Sequence, residues 1–228
     1  MPTYQWYAKP TGGYLRDSVE AINNAWMIYN TLAVQGWSLN AVCGILGNIR
    51  YESYYNPWRW QSDIISTPST TGLQGYGLFQ FTPSGKYILD TRAQVLIGYA
   101  PNYLGHTGAA SDGRAQCMFV DLYADDPNVG YYATSSYPLS YQQYRVSLYT
   151  PEYLAEAWLY NFERPQSPNP AQRAAEARYW YDLLSSGPTP PPPPTQLTNY
   201  MKAVLGTVRK GRRKEEDDIA KRKRTLSF

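Results

Sequence analysis

Histidine and cysteine are nearly absent from this 228-residue chain, which holds one His (His106) and two Cys (Cys43 and Cys117). Zinc sites draw several His or Cys at close spacing. One histidine therefore argues against a zinc peptidase or amidase, and no metal or cofactor is expected. His106 has no partner motif for a Ser-His-Asp arrangement either. Two cysteines are too few for a disulfide scaffold. Cys43 falls inside a predicted helix and reads as a small buried apolar residue, with pairing to Cys117 as the alternative. Long apolar runs are missing too. A membrane span needs about 18 or more such residues in a row, so none is expected. Residues 1 to 13 hold no apolar segment of the kind a secretory signal carries. A substrate outside the cell would then need another route of delivery.

What the chain has in excess is aromatic, with 23 Tyr and 7 Trp. Flat rings stack on sugar faces, and they also fill cores, so composition leaves both readings open. Charge is unevenly placed. Residues 1–187 carry 11 Lys and Arg against 14 Asp and Glu, a net of −3, and residues 188–228 carry 10 against 4, a net of +6. The basic character belongs to the tail. Its Lys/Arg clusters could hold DNA or an anionic polymer, but acidic blocks alternate with them, and nucleic acid is not the expected partner.

Helix signals dominate the first 187 residues. Asp17 or Ser18 can cap a helix, and Val19, Ile22, Trp26, Tyr29 and Ala33 trace its apolar stripe. Gly36 ends it. Ser38 caps a second helix with Leu39, Val42, Ile45, Leu46 and Ile49 on one face, and Glu52 continues that face. Residues 54–81 read as irregular chain or a small β-hairpin. Thr82-Pro83, Thr150-Pro151 and Asn169-Pro170 each give a cap followed by proline at the first helical position. Asp112 caps a further helix over 114–124, and a short one is expected near 141–146. The loop 98–113 lies between. Six prolines among Pro188–Pro194 form a stiff spacer on the order of 20 Å long. Beyond it Leu197, Tyr200, Met201, Val204, Leu205 and Val208 make a helical stripe too short to stand alone, suited to docking on a partner. The expected layout is an N-terminal arm (1–17), a mostly α domain (18–187), a proline linker (188–194) and a short helix with a basic tail (195–228).

The chemistry concentrates between Ala41 and Thr82. Glu52 stands at a helix C-terminus, where the backbone dipole disfavours negative charge. It also extends an apolar face, where burial would do the same. A carboxyl with a raised pKa can protonate a leaving glycosidic oxygen. A solvated glutamate at a frayed end is the plain alternative. Trp60 and Tyr76 offer stacking faces or fill the core. Gly75 and Gly77 let the backbone approach a ligand, and Gln80 offers a donor and acceptors to sugar hydroxyls. Asp63 is the only acid between Glu52 and Asp90. It is either the second carboxylate or a loop aspartate.

Glu52-Ser53, Asn56-Pro57 and Gly75-x-Gly77-Leu78-x-Gln80 resemble the signature of goose-type lysozymes and lytic transglycosylases. Added to these are Gly36-Trp37, Ile45-Leu46-Gly47-Asn48, Phe81-Thr82-Pro83, Phe162-Glu163-Arg164-Pro165 and Ala177-x-Tyr179-Trp180-Tyr181. Together they resemble the phage tail lysozyme family over residues 18 to 187. The resemblance implies a mainly α (α+β) lysozyme-like fold with a small hairpin or loop lobe beside the catalytic helix. It implies cleavage of peptidoglycan glycan strands, with Glu52 as general acid and substrate contacts at Gln80, Tyr76 and Gly77. Tyr160 and Asn161 occupy the place of a transglycosylase Tyr-Asn motif. Glu163 and Arg164 belong to the family pattern and are read first as a structural ion pair beneath the cleft, with catalysis as the second reading.

Three functions fit these residues. One is a virion-borne wall hydrolase at the phage tail tip, docked to other tail proteins through residues 197–208. Another is a free lysis enzyme. The last is a tail protein that binds glycan without turnover.

Overall fold

Side-chain caps set most of the helix starts. In the computed structural model, which describes residues 4–99, 110–126 and 130–187, Ser18 Oγ accepts from the Ala21 N–H and opens α1 (Val19–Val34). Ser38 does the same through Ala41 for α2 (Leu39–Glu52). Between them Gly36 takes a φ of 88°, a left-handed conformation that glycine adopts at no steric cost. α3 (Gly85–Ile88) and α4 (Thr91–Tyr99) follow. Asp112 caps α5 (Gly113–Ala124) by accepting from Arg114 and Ala115. A reciprocal Ser140–Gln143 capping box opens α6 (Tyr141–Arg145). Thr150 caps α7 (Pro151–Trp158), and Pro170 begins α8 (Pro170–Ser186).

Three details depart from the sequence pattern. The buried face of α1 is Ala21, Ala25, Ile28 and Leu32, all fully buried, while Val19 is 66% exposed. Of the predicted stripe Trp26 is buried and Ile22, Tyr29 and Ala33 are half-buried, so the packed face overlaps the stripe but is turned toward the two alanines, which face α5 and α2. Thr82 does not cap a helix. Its hydroxyl donates to the Gln80 carbonyl, and α3 starts only at Gly85. Asn169 precedes α8 without a capping bond and instead accepts from Arg173 Nε at 2.8 Å.

α2 is the axis of the fold. Residues 41–49 are buried all round, and the helix packs against α1, α7 and α8. Two glycines make that approach feasible. A Cβ on Gly44 would lie 2.8 Å from the Leu154 carbonyl carbon of α7, and one on Gly47 would lie 2.4 Å from the Arg173 carbonyl oxygen of α8. Both are closer than carbon atoms tolerate, so only glycine fits. α7 does not stop at Trp158 but widens into a π turn, Leu159–Glu163, which ends at Arg164 with φ 49°.

Residues 53–84 lie beside the end of α2 as loop. They contain one 3₁₀ turn (Gln61–Asp63) and two isolated antiparallel bridges, Trp60–Tyr76 and Tyr76–Phe81. Of the two expected forms, irregular chain or a small hairpin, the first is found, with single bridges in place of a hairpin and no sheet among the described residues. Side chains hold the loop instead. Asn56 donates to the Lys9 and Gly12 carbonyls. Gln116 on α5 donates to the Pro57 carbonyl and accepts from the Leu78 N–H. The architecture is mainly α, as the sequence predicts. The N-terminal arm packs onto it, with Trp6 buried and both backbone groups of Tyr7 paired to Asn24. Cys43 and Cys117 are buried and unpaired. Among the described residues no helix is long and apolar enough to cross a membrane.

The chain divides into two units, Met1–Pro190 and Pro191–Phe228. Residues 188–228 lie outside the described residues, and with them the expected proline linker, the stripe 197–208 and the basic tail. So do His106 and most of the loop 98–113.

Candidate active site

Glu52 is the last residue of α2, and its carboxylate is fixed from α8. Glu52 Oε1 accepts from Arg173 Nη1 at 2.8 Å, and the glutamate side chain is 18% exposed. Arg173 Nη1 also donates to Asn48 Oδ1. Asn48 in turn donates to the Gly44 and Ala155 carbonyls. One asparagine and one arginine thereby join α2, α7 and α8 directly behind the carboxylate. Burial raises the Glu52 pKa, the Arg173 charge and hydrogen bond lower it, and burial prevails.

The open side of Glu52 faces a cleft of about 400 Å³. Glu163 lines the same cleft. As the last residue of the π turn, it accepts at Oε1 from Trp158 Nε1 at 2.9 Å. Its pKa is pushed up to about 8, first by burial and then by the Glu52 charge, with Arg173, the indole hydrogen bond and Arg164 opposing. The expected Glu163–Arg164 ion pair does not form. Arg164, with its left-handed backbone, donates to the Asn161 and Gly130 carbonyls and covers the Tyr132 ring.

The other side of the cleft is loop. Gln61, Phe79, Gln80, Phe81 and Thr82 line it, and Lys86 of α3 adds a cation whose pKa burial lowers. Gln80 has φ 43° and donates from Nε2 to the Arg59 and Gly77 carbonyls, so its amide is held in place at the cleft. Tyr51, 37% exposed, lies at the edge of the cleft.

Several residues predicted for the site stand elsewhere. Trp60 and Tyr76 are buried, meeting edge to face at 4.8 Å, and Tyr76 also stacks on Tyr87, so both rings belong to the packed interior. Gly77, with φ 81°, lies against Gln116, where a Cβ would come within 2.5 Å of its Oε1. It serves the loop's own packing. Asp63 is tied to Arg59 Nε at 3.1 Å and to the Gly12 N–H at 2.7 Å, and it does not line the cleft. Tyr160 stacks on Tyr137. Asn161 is fully buried, accepting from Thr134 and donating to the Tyr131 hydroxyl and the Tyr137 carbonyl. Of the predicted site residues, Glu52 and Gln80 share the cleft.

Arg173 and Gln61 escape sequence reasoning. Nothing marks Arg173 among the charged residues of α8. The one available signal is the Gly44/Gly47 pair three residues apart on α2, which announces a close helix neighbour but not its side chain. A half-buried polar cleft with two carboxyls, one raised in pKa to about 8, is equipped for proton transfer.

Residues 23–184 match the phage tail lysozyme family. Over 162 residues the chain is 31% identical to Morphogenesis protein 1 of Bacillus phage B103, which covers 71% of this chain and 39% of that relative. The chain thus spans well under half the length of the relative it matches. With the family match running from α1 almost to the end of α8 and both cleft carboxyls inside it, the chain belongs to the phage tail lysozyme family.

Proposed function

We propose that this protein cleaves the glycan strand of peptidoglycan at the β-1,4 bond between N-acetylmuramic acid and N-acetylglucosamine. Glu52 is the general acid in this reading. The observation that carries it is a carboxyl at a helix C-terminus, opening on a cleft, with its pKa raised by burial. Such a group holds a proton nearer neutral pH and can pass it to the leaving oxygen. Arg173, already hydrogen-bonded to Glu52 Oε1, stabilises the charge left behind. Gln80, both its amide hydrogens held by the Arg59 and Gly77 carbonyls, offers its Oε1 as an acceptor to sugar hydroxyls or N-acetyl N–H groups.

The work of the enzyme is local opening of the host wall as the phage enters, carried out from the virion at the tail tip. The family and the name of the relative, a morphogenesis protein, support a place in the particle. Residues 197–208 are the proposed attachment to other tail proteins.

Purified protein should clear embedded Gram-positive walls in a gel. Mass spectrometry of the digest should find new reducing ends. Glu52→Gln should reduce the rate about 10²- to 10⁴-fold, the usual worth of a general acid, with an unchanged circular dichroism spectrum. Clearing by the variant at the wild-type rate would remove Glu52 from the role. Wall binding without any new ends would make the protein a glycan-binding module.

A further inference from the structure

The reaction proposed above needs a second group at the anomeric carbon, and Asp63 is turned away from it. Glu163 is not. It lines the cleft that Glu52 lines, and it arrives there by a different element, the π turn after α7. On an α-helix five residues run well past one turn, so Trp158 and Glu163 would face different sides. The wider π turn brings them onto one side, where the indole N–H reaches Glu163 Oε1. That bond fixes the orientation of the carboxyl. Among the described residues nothing donates to its other oxygen, Oε2, which is left for the cleft. The charged groups that face Glu163 are Glu52 from α2, Arg173 from α8, Lys86 from α3 and its neighbour Arg164.

We propose that Glu163 is the second catalytic carboxyl of this cleft, accepting the proton of the attacking water while Glu52 donates one to the leaving oxygen. This rests on the glycan-cleavage reading and completes it. The bond between the anomeric carbon and the glycosidic oxygen breaks, and its electron pair goes to that oxygen, which takes the Glu52 proton. The water oxygen bonds to the anomeric carbon and gives its proton to Glu163 Oε2. The products are two sugar ends, one of them reducing, formed from the glycoside and one water. The cycle ends with charge on Glu52, beside Arg173, and a proton on Glu163, where burial favours the neutral form. The resting site favours that same arrangement, so the reactive form, with the proton returned to Glu52 through cleft water and Glu163 ionised, is the minor one of the pair.

The test is Glu163→Gln in the full chain, assayed on purified peptidoglycan across acid to alkaline pH. Glutamine keeps the volume and still accepts from the Trp158 indole, so a residue with only a structural role would tolerate it. The expected result is a loss of about 100-fold or more in rate, with wall binding retained and a melting temperature no lower than that of wild type. Glu163→Asp, which keeps a titrating group, should recover part of the rate with a displaced pH profile. A Glu163→Gln rate within about threefold of wild type, on the same pH profile, overturns the proposal. If the glutamine variant does not fold, the Glu163→Asp pH profile decides, since a profile identical to wild type is equally fatal. Wild type that releases no new ends sinks both this proposal and the glycan-cleavage reading. Active wild type with Glu52→Gln dead and Glu163→Gln active sinks this proposal alone.

Discussion

The two walls of the cleft are built on different principles. One wall is helical, with Glu52 on α2, Glu163 at the end of the π turn and Arg173 on α8, and Asn48 and Arg173 join α2, α7 and α8 behind the surface. The other is loop, residues 53–84, shaped by isolated bridges and by side chains such as Gln116, Asn56 and Gln80 that hold backbone groups. Both carboxyls of the cleft stand on the helical wall. The acid of the loop, Asp63, is bound to its own surroundings. Chemistry that depends on fractions of an ångström rests on packed helices, while the loop supplies shape and amide groups.

The comparison breaks most visibly at the helix contact. Gly47→Ala places a methyl group 2.4 Å from the Arg173 carbonyl, so α8 must move away from α2. Overpacking of this kind costs about 1–3 kcal/mol. Denaturant unfolding should show the loss, and wall clearing should fall further than stability does, because Arg173 leaves Glu52. A smaller effect follows from titration. Glu163 moves from an ordinary 4.5 in the unfolded chain to about 8 in the fold. Between these values the folded protein binds more protons, so its contribution is full below 4.5 and is lost as pH rises through 8. Melting temperature should therefore decline across that window, and Glu163→Gln should flatten the decline. Asp112, raised to about 6 by burial, adds to the slope in the same direction. The smallest effect is expected on the loop wall. Asp63→Asn keeps an acceptor for the Gly12 N–H and loses a partly exposed ion pair. It should change stability by about 1 kcal/mol or less and leave the rate nearly as it is. A large loss of activity there would mean that the loop wall takes part in the chemistry after all.

Local signals carried much of this fold. Ser18, Ser38, Asp112 and Thr150 cap the helices that the sequence assigns to them, because a cap is decided within three residues of itself. Glu52 at the end of α2 was legible for the same reason. What depended on distant partners was not. The buried face of α1 is chosen by α5 and α2, which kept Trp26 of the predicted stripe inside, left Val19 exposed and brought in two alanines. Trp60 and Tyr76 looked like platforms for a sugar until tertiary packing turned each toward the other. Glu163 and Arg164, adjacent in sequence, read as an ion pair. A π turn ending in a left-handed residue, which no periodicity announces, gave them different partners.

Gly44 and Gly47 have a consequence for how the molecule fails. Because they let α7 and α8 close directly onto α2, residues 41–49 of that helix are buried on every side and their backbone amides have no local route to solvent. They should exchange with deuterium only when the whole domain opens. Glu52 stands three residues beyond that buried stretch and is tied to α8 by Arg173, so the acid is anchored to the slowest-opening part of the fold.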